Sequence, residues 1–231
     1  MTTIGLIGSG NIGSTVAQLA VAAGYDVVLS NSRGPDTLKE LVDPLGPRAR
    51  AGTAAEAGEA GDLVVVTVPL GALPDIPAAP LTGKIVLDTC NYYPERDGQI
   101  PELDDESTTT SELVERHLLG SKVVKVFNNI FYKHLLSLAR PAGAADRSSL
   151  AIAGDDVEAK AVVTAFLNDI GYDTVDVGPL AEGWRFQRDT AAYANVYATP
   201  GWTSQDAVPA DGDKLRAHLA EARRYADMAD S

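Results

Sequence analysis

Six residues near the start of the chain limit its fold more than any others: Gly8-Ser9-Gly10-Asn11-Ile12-Gly13. This G-x-G-x-x-G spacing follows directly on a short apolar run, Thr3-Ile4-Gly5-Leu6-Ile7. It leads into apolar residues at helical spacing, namely Ile12, Val16, Leu19, Ala20 and Ala23. A strand, a glycine turn and a helix in that order form the phosphate-binding corner of a βαβ unit. Gly8 permits the tight turn, Gly10 lets the backbone approach a pyrophosphate, and Gly13 lets the helix pack closely on the strand. The first helical turn then offers free N–H groups and a positive dipole end to an anion. A glycine turn can also merely join strand to helix, but motif and context agree here on a bound dinucleotide.

The end of the second strand, Asp26 to Ser30, selects which dinucleotide. NAD sites place an Asp or Glu there to bind the ribose 2′-hydroxyl, whereas NADP sites use an Arg with small donors. This strand runs into Asn31-Ser32-Arg33-Gly34, with Asp26 at its far end and Asp36 beyond Pro35. A guanidinium with amide and hydroxyl donors suits a 2′-phosphate, which a carboxylate would repel. NADP(H) is therefore the expected cofactor. The net charge, 19 Lys+Arg against 32 Asp+Glu or −13, does not oppose this, because distant charges are screened beyond about 8 Å. That charge does argue against a polyanionic partner, so neither nucleic acid nor an anionic membrane surface is expected.

The remaining sequence repeats the alternation. Leu63 to Val68 reads as a doubly buried strand stopped by Pro69, and Lys84 to Asp88 and Lys122 to Phe127 read as further strands. Helices are expected from Pro35, carrying Leu38, Leu41, Val42 and Leu45, and from Thr109-x-x-Glu112. Thr53-x-x-Glu56 is a second capping box. These elements predict an α/β chain with a Rossmann, doubly wound, mostly parallel sheet. A break at Arg140 to Ala144 divides it into a cofactor-binding domain, 1–140, and a smaller C-terminal region, 141–231, closing over the cleft. That second part holds strand, helix and strand at Leu150–Ala153, Val157–Ile170 and Thr174–Val177. An irregular segment, 179–210, and an amphipathic helix over Lys214–Met228 complete it. A single cysteine, Cys90, can form no intrachain disulfide, no secretion signal is expected from residues 1–20, which lack a basic start and are interrupted by Gly, and the longest apolar run is too short to span a bilayer. A cytoplasmic protein is expected.

In such sheets the ligand lies outside the carboxyl ends of the strands. Val68, Pro69 and Leu70, then Asn91, then Asn128 and Asn129 are therefore candidate lining residues. The amides suit the nicotinamide carboxamide, which needs both donor and acceptor; Asn is also common in plain turns. No metal site is expected, since His117, His134 and His218 are widely spaced. Catalytic groups are not fixed by the sequence; Tyr132 and His134 are the candidate proton donors. Cys90 lacks an obvious base and reads as a small buried residue.

Ile7–Gly13, Asn31-Ser32-Arg33, Val66-Thr67-Val68-Pro69 and Lys125–Asn129 together resemble the NADP-dependent oxidoreductases of the coenzyme F420 (8-hydroxy-5-deazaflavin) group; Gly178-Pro179-Leu180 is a further likeness. The resemblance covers residues 1–180, and residues 184–231, with Trp184 and Trp202, depart from it. It implies that Ser9 and Asn11 meet the pyrophosphate, Ser32 and Arg33 the 2′-phosphate, and Val68, Pro69 and Leu70 the nicotinamide half. Asn128 and Asn129 would lie near the nicotinamide, and the assembly would be a homodimer. The implied reaction is hydride transfer between NADP(H) and a second acceptor, with coenzyme F420 as co-substrate. Alternatives are reduction of a small imine or carbonyl substrate, and a non-catalytic NADP(H)-sensing module.

Overall fold

A computed structural model describes residues 2–199, 201 and 206–229, so Trp202 lies outside the described residues. Eight strands form one sheet in the order β3-β2-β1-β4-β5-β6-β7-β8. In chain order they begin with β1 (Thr3–Ile7), helix α1 (Asn11–Ala22), β2 (Asp26–Ser30), β3 (Ala49–Ala51), α2 (Ala54–Ala60), β4 (Leu63–Val66) and β5 (Ile85–Asp88). There follow α3 (Thr110–His117), β6 (Lys122–Lys125), α4 (Tyr132–Ser137), β7 (Ser149–Gly154), α5 (Val157–Asp169) and β8 (Asp173–Asp176). The chain closes with α6 (Gly212–Ala220) and α7 (Tyr225–Ala229). Strands β1 to β6 are parallel; β6 and β7 pair antiparallel, with Val124 opposite Gly154 and Lys125 opposite Ala153. Strand β8 then runs parallel to β7. The strands of residues 141–231 thus extend the same sheet.

Side chains of successive strand residues point to opposite faces, and the core divides accordingly. Leu63 and Val65 join one apolar cluster with α1 and α5 residues such as Val16 and Phe166. Val64 and Val66 join another with Ala57 and Val114. Burial on both faces is the reason β4 has no polar alternation. Both capping boxes form: Thr53 and Glu56 exchange hydrogen bonds of 2.7 and 3.2 Å, and Thr109 and Glu112 bonds of 2.7 and 3.3 Å. Gly24 follows α1 at φ +95°, the left-handed turn expected there.

Three elements differ from the sequence reading. The helix expected from Pro35 is a broken series of short turns, Pro35–Leu38, Lys39–Val42 and Asp43–Leu45, because Pro44 cannot donate to a continuing helix. Strand β3 follows it unannounced; three residues at a sheet edge leave no periodic signal. The C-terminal helix is interrupted between Ala220 and Tyr225. There the N–H groups of Tyr225 and Ala226 donate to the Glu106 carboxylate at 3.1 and 2.9 Å, capping a new helix. Among the described residues, no helix is long and apolar enough to cross a membrane.

Candidate cofactor and substrate crevice

Two adjoining cavities lie at the carboxyl end of the parallel strands, and Gly10, Thr67, Val68 and Pro69 line both. The glycine turn is therefore the divide of one elongated crevice. Each glycine acts differently. A Cβ on Gly8 would stand 2.1 Å from the Thr67 carbonyl oxygen, and one on Gly13 would stand 2.2 Å from the Gly8 carbonyl oxygen. A Cβ on Gly10 would meet nothing within 4 Å, since that residue faces open crevice. Gly8 and Gly13 are demanded by packing, whereas Gly10 lets a ligand approach. Gly10 also caps α1 without a side-chain hydrogen bond, and no acid occupies the first turn. The positive end of the helix is left to a phosphate.

The first cavity, about 350 Å³, is lined by Gly8, Ser9, Asn31, Ser32 and Arg33. Asn31 shapes that loop, its Oδ1 accepting from the Arg33 N–H at 3.0 Å and its Nδ2 donating to Thr37 Oγ1 at 2.9 Å. Arg33 and Ser32 are exposed, and among the described residues no carboxylate forms an ion pair with Arg33. The wall's carboxylate, Asp75, comes from the turn after β4 rather than from the end of β2. A free guanidinium beside a serine and an Asn-fixed turn fits a 2′-phosphate.

The second cavity, about 440 Å³, is lined by Asn11, Ile12, Asn91, Asn128, Tyr132, Tyr93 and Tyr193 among others. Asn91 and Asn128 converge as expected: Asn91 Nδ2 donates to the Asn128 carbonyl at 2.8 Å, and Asn128 Nδ2 donates to the Phe186 carbonyl at 2.9 Å. Among the described residues, Asn128 Oδ1 is buried without a hydrogen-bond partner. Such an acceptor is costly unless something donates to it, and a nicotinamide carboxamide N–H has the required chemistry. Phe127, just before it, adopts φ +64°, a strained conformation for a bulky residue that redirects the chain between Val126 and Asn128.

Four expected residues lie elsewhere. Leu70 is buried among Leu73, Ile76 and Leu81 in the apolar cluster that holds Ala57. Asn129 is fully buried, its Nδ2 donating to the Ala192 carbonyl at 3.0 Å while its own carbonyl accepts from Ala194 N–H at 2.9 Å. It anchors a loop instead of facing the crevice. His134 is 1% exposed and packs edge-on against Phe131 with ring centroids 5.4 Å apart, so it lines neither cavity. Gly13 sits beneath the turn. Tyr132, in contrast, is in the wall.

The principal feature missing from the sequence reading is a pair of phenols. The hydroxyls of Tyr93 and Tyr193 lie 2.7 Å apart in the wall of the second cavity, one hundred residues apart in the chain. Burial and the Tyr93 hydrogen bond push the Tyr193 phenol well above its usual range. Arg96 and Arg188 stack on the Tyr93 ring at 4.6 and 4.7 Å. Each guanidinium has its own acid: Asp97 accepts from Arg96 at 2.8 Å, and Arg188 reaches Glu95 at 3.0 Å and Asp189 at 3.1 Å. Below the crevice floor, Asp88 and Lys125 form a buried polar knot. Asp88 accepts from Ser111 Oγ at 2.6 Å and Cys90 N–H at 2.8 Å, while Lys125 Nζ donates to the Cys90 carbonyl and Thr110 Oγ1, each at 3.0 Å. Burial and the Asp88 charge push the Cys90 thiol up, which leaves it an inert thiol rather than a nucleophile. Among the described residues, no group of His, Cys, Asp and Glu could hold a metal ion.

Residues 3–92 match the family described as NADP oxidoreductase, coenzyme F420-dependent. The crystal structure of hypothetical protein SMa0349 from Sinorhizobium meliloti superposes with a TM-score of 0.73 at 31% identity, covering 84% of this chain and 94% of that one. The chain belongs to the F420-dependent NADP oxidoreductase family. A second family-like structure, from Arthrobacter sp. FB24 and described as a candidate F420-dependent NADP-reductase, has a TM-score of 0.65 at 26% identity. That match covers 78% of this chain and 85% of that chain. The Escherichia coli (strain K12) protein YjhV is 42% identical over 53 residues, which span 23% of this chain and 39% of YjhV. Membership in this family implies NADP(H) binding and makes the protein an NADP-dependent oxidoreductase.

Proposed function

We propose that this enzyme transfers a hydride between NADP(H), bound along the crevice, and a second acceptor in the cavity walled by Asn91, Tyr93, Asn128, Tyr132 and Tyr193. The observation that carries this reading is one crevice with Arg33 at one end and the Asn128 acceptor at the other, neither of them paired among the described residues. Bound NADPH supplies the hydride. The chain fixes the cofactor's two ends and holds the acceptor close. Family membership favours deazaflavin (coenzyme F420) as the acceptor. A second reading, reduction of a small imine or carbonyl compound, is favoured by the Tyr93–Tyr193 pair, because such a product needs a proton on its heteroatom. The homodimer remains the assembly that fits the resemblance.

The test is absorbance of NADPH mixed with oxidised deazaflavin and protein, against a control without acceptor. Coupled loss of both chromophores supports deazaflavin reduction. Unchanged deazaflavin, with NADPH consumed only by imines or ketones, supports the second reading. Binding of NADPH with no turnover of either class overturns the proposal.

A further inference from the structure

The two partners of the Tyr93–Tyr193 pair are held differently. The two hydroxyls share one hydrogen bond, so one donates and the other keeps its proton for the cavity. Tyr193 is the more constrained partner. It sits in the loop pinned by Asn129 through the Ala192 carbonyl and the Ala194 N–H, where Asp189 and Ala194 adopt φ +67° and +54°. Burial disfavours its phenolate, so Tyr193 keeps a proton that it can donate toward Tyr93. When Tyr193 donates, the Tyr93 O–H is free for the cavity that both residues line. Its backbone is fixed as well: the Tyr93 N–H donates to Asp97 Oδ2 at 3.0 Å, and the one-turn helix Pro94–Asp97 begins immediately after it.

The surroundings also suit a group that must lose a proton transiently. Two guanidiniums lie against the Tyr93 ring. A cation over an aromatic face is held more strongly as that ring becomes more electron-rich, which a phenolate is. The charged groups facing the pair are Arg96, Arg188, Asp97, Glu95 and Asp189, so the two cations come with three acids. The locality is therefore close to charge balance and offers no surplus cation to an anionic substrate, but it places its cations directly on the ring that would ionise.

From this arrangement we propose that Tyr93 is the catalytic proton donor to the acceptor's heteroatom, and that Tyr193 is the residue positioning it. The proposal rests on the reading that the acceptor occupies the second cavity. In the step, the hydride leaves C4 of the nicotinamide with its electron pair and forms a C–H bond on the acceptor carbon. The π bond at that carbon breaks, and its electron pair moves to oxygen or nitrogen, directly in a C=O or C=N group and through the conjugated ring in a deazaflavin. That atom takes the Tyr93 proton, the cofactor is oxidised, the acceptor is reduced, and solvent returns a proton to Tyr93.

Two measurements test it. The first uses no turnover: 2-pyrrolidone, a lactam whose carbonyl accepts a hydrogen bond but no hydride, is titrated into the protein–NADPH complex and followed by NADPH fluorescence. Tyr93→Phe should weaken lactam binding about tenfold, the value of one lost hydrogen bond, with NADPH affinity unchanged. The second uses whichever acceptor turns over. Tyr93→Phe should lower kcat about a hundredfold. Tyr193→Phe should lower kcat by a smaller factor with KM unchanged, because only the aim of the Tyr93 O–H is lost; a merely structural role would raise KM as well. Equal lactam binding by both proteins, no lactam binding to the wild type, or a kcat within threefold of wild type would overturn the assignment. Lactam discrimination without turnover of any acceptor would keep Tyr93 as the donor to a carbonyl and remove the hydride-transfer reading.

Discussion

Replacing Arg33 by Ala isolates the cofactor preference. Arg33 is exposed, pairs with no carboxylate among the described residues, and lines the first cavity beside Ser32. Its loss strands no buried charge, so folding stability should change by less than about 0.5 kcal/mol. The effect is then confined to the ligand. A charge-assisted hydrogen bond to phosphate contributes about 1.5–3 kcal/mol. Exposure places Arg33 toward the lower end, so NADPH should bind about 10- to 30-fold more weakly, at about 1.4 kcal/mol per decade. NADH has no 2′-phosphate and should change by less than about twofold, within the scatter of a surface substitution. Fluorescence titration of both cofactors, at fixed ionic strength because the contact is screened by salt, gives the two constants directly. Equal weakening of NADPH and NADH, or no change in either, would refute the assignment of Arg33 to the 2′-phosphate.

Three further outcomes follow from the packing. Gly13→Ala places a Cβ 2.2 Å from the Gly8 carbonyl oxygen and 2.8 Å from Thr67 Cγ2; thermal melts should show a loss of about 1–3 kcal/mol, as overpacking costs, together with weaker NADPH binding. Lys125→Met leaves the fully buried Asp88 carboxylate without its cation, and denaturant unfolding should show a loss of about 3–5 kcal/mol, of which the Asp88→Leu second substitution should recover a substantial part. Asp97 supplies the pH dependence. Burial alone would raise its carboxyl, but hydrogen bonds from Arg96 and from the Tyr93 and Gly71 N–H groups outweigh that and hold it below its usual range. A lowered folded-state value means the unfolded chain binds more protons, so this contribution is present above about pH 4 and is lost as pH falls further. Asp97→Asn should flatten that acid limb in pH-dependent unfolding; an unchanged limb would contradict it.

The cofactor half of the crevice was legible because it is local. Gly8 to Gly13, the apolar spacing of α1 and the Asn31–Arg33 turn lie within one βαβ unit, where period and glycine placement carry the geometry. The acceptor half was only partly legible. Strand ends identified Asn91 and Asn128, but nothing near Asn129 reveals that its amide is spent on a loop some sixty residues later. Tyr193 could not be found from its neighbours: it lies in an aperiodic segment whose shape depends on positive φ at Asp189 and Ala194, positions with no glycine to announce them. His134 shows the converse. Its position after the Asn128-Asn129 strand end suggested the crevice, yet helix rotation turned it toward Phe131 and the core. The broken C-terminal helix has the same origin, since Glu106, more than a hundred residues away, supplies the cap that restarts it.

Hydride transfer from NADPH to a molecule in the second cavity can be followed with an isotope. NADPH carrying deuterium on one or the other face of C4 is incubated with the protein and with deazaflavin, then with imines and ketones, and the products are weighed by mass spectrometry. The reduced acceptor should carry a single deuterium from only one of the two labelled cofactors, because a fixed crevice presents one face of the ring. Label from both faces, or NADPH bound tightly while no acceptor gains deuterium, would contradict it.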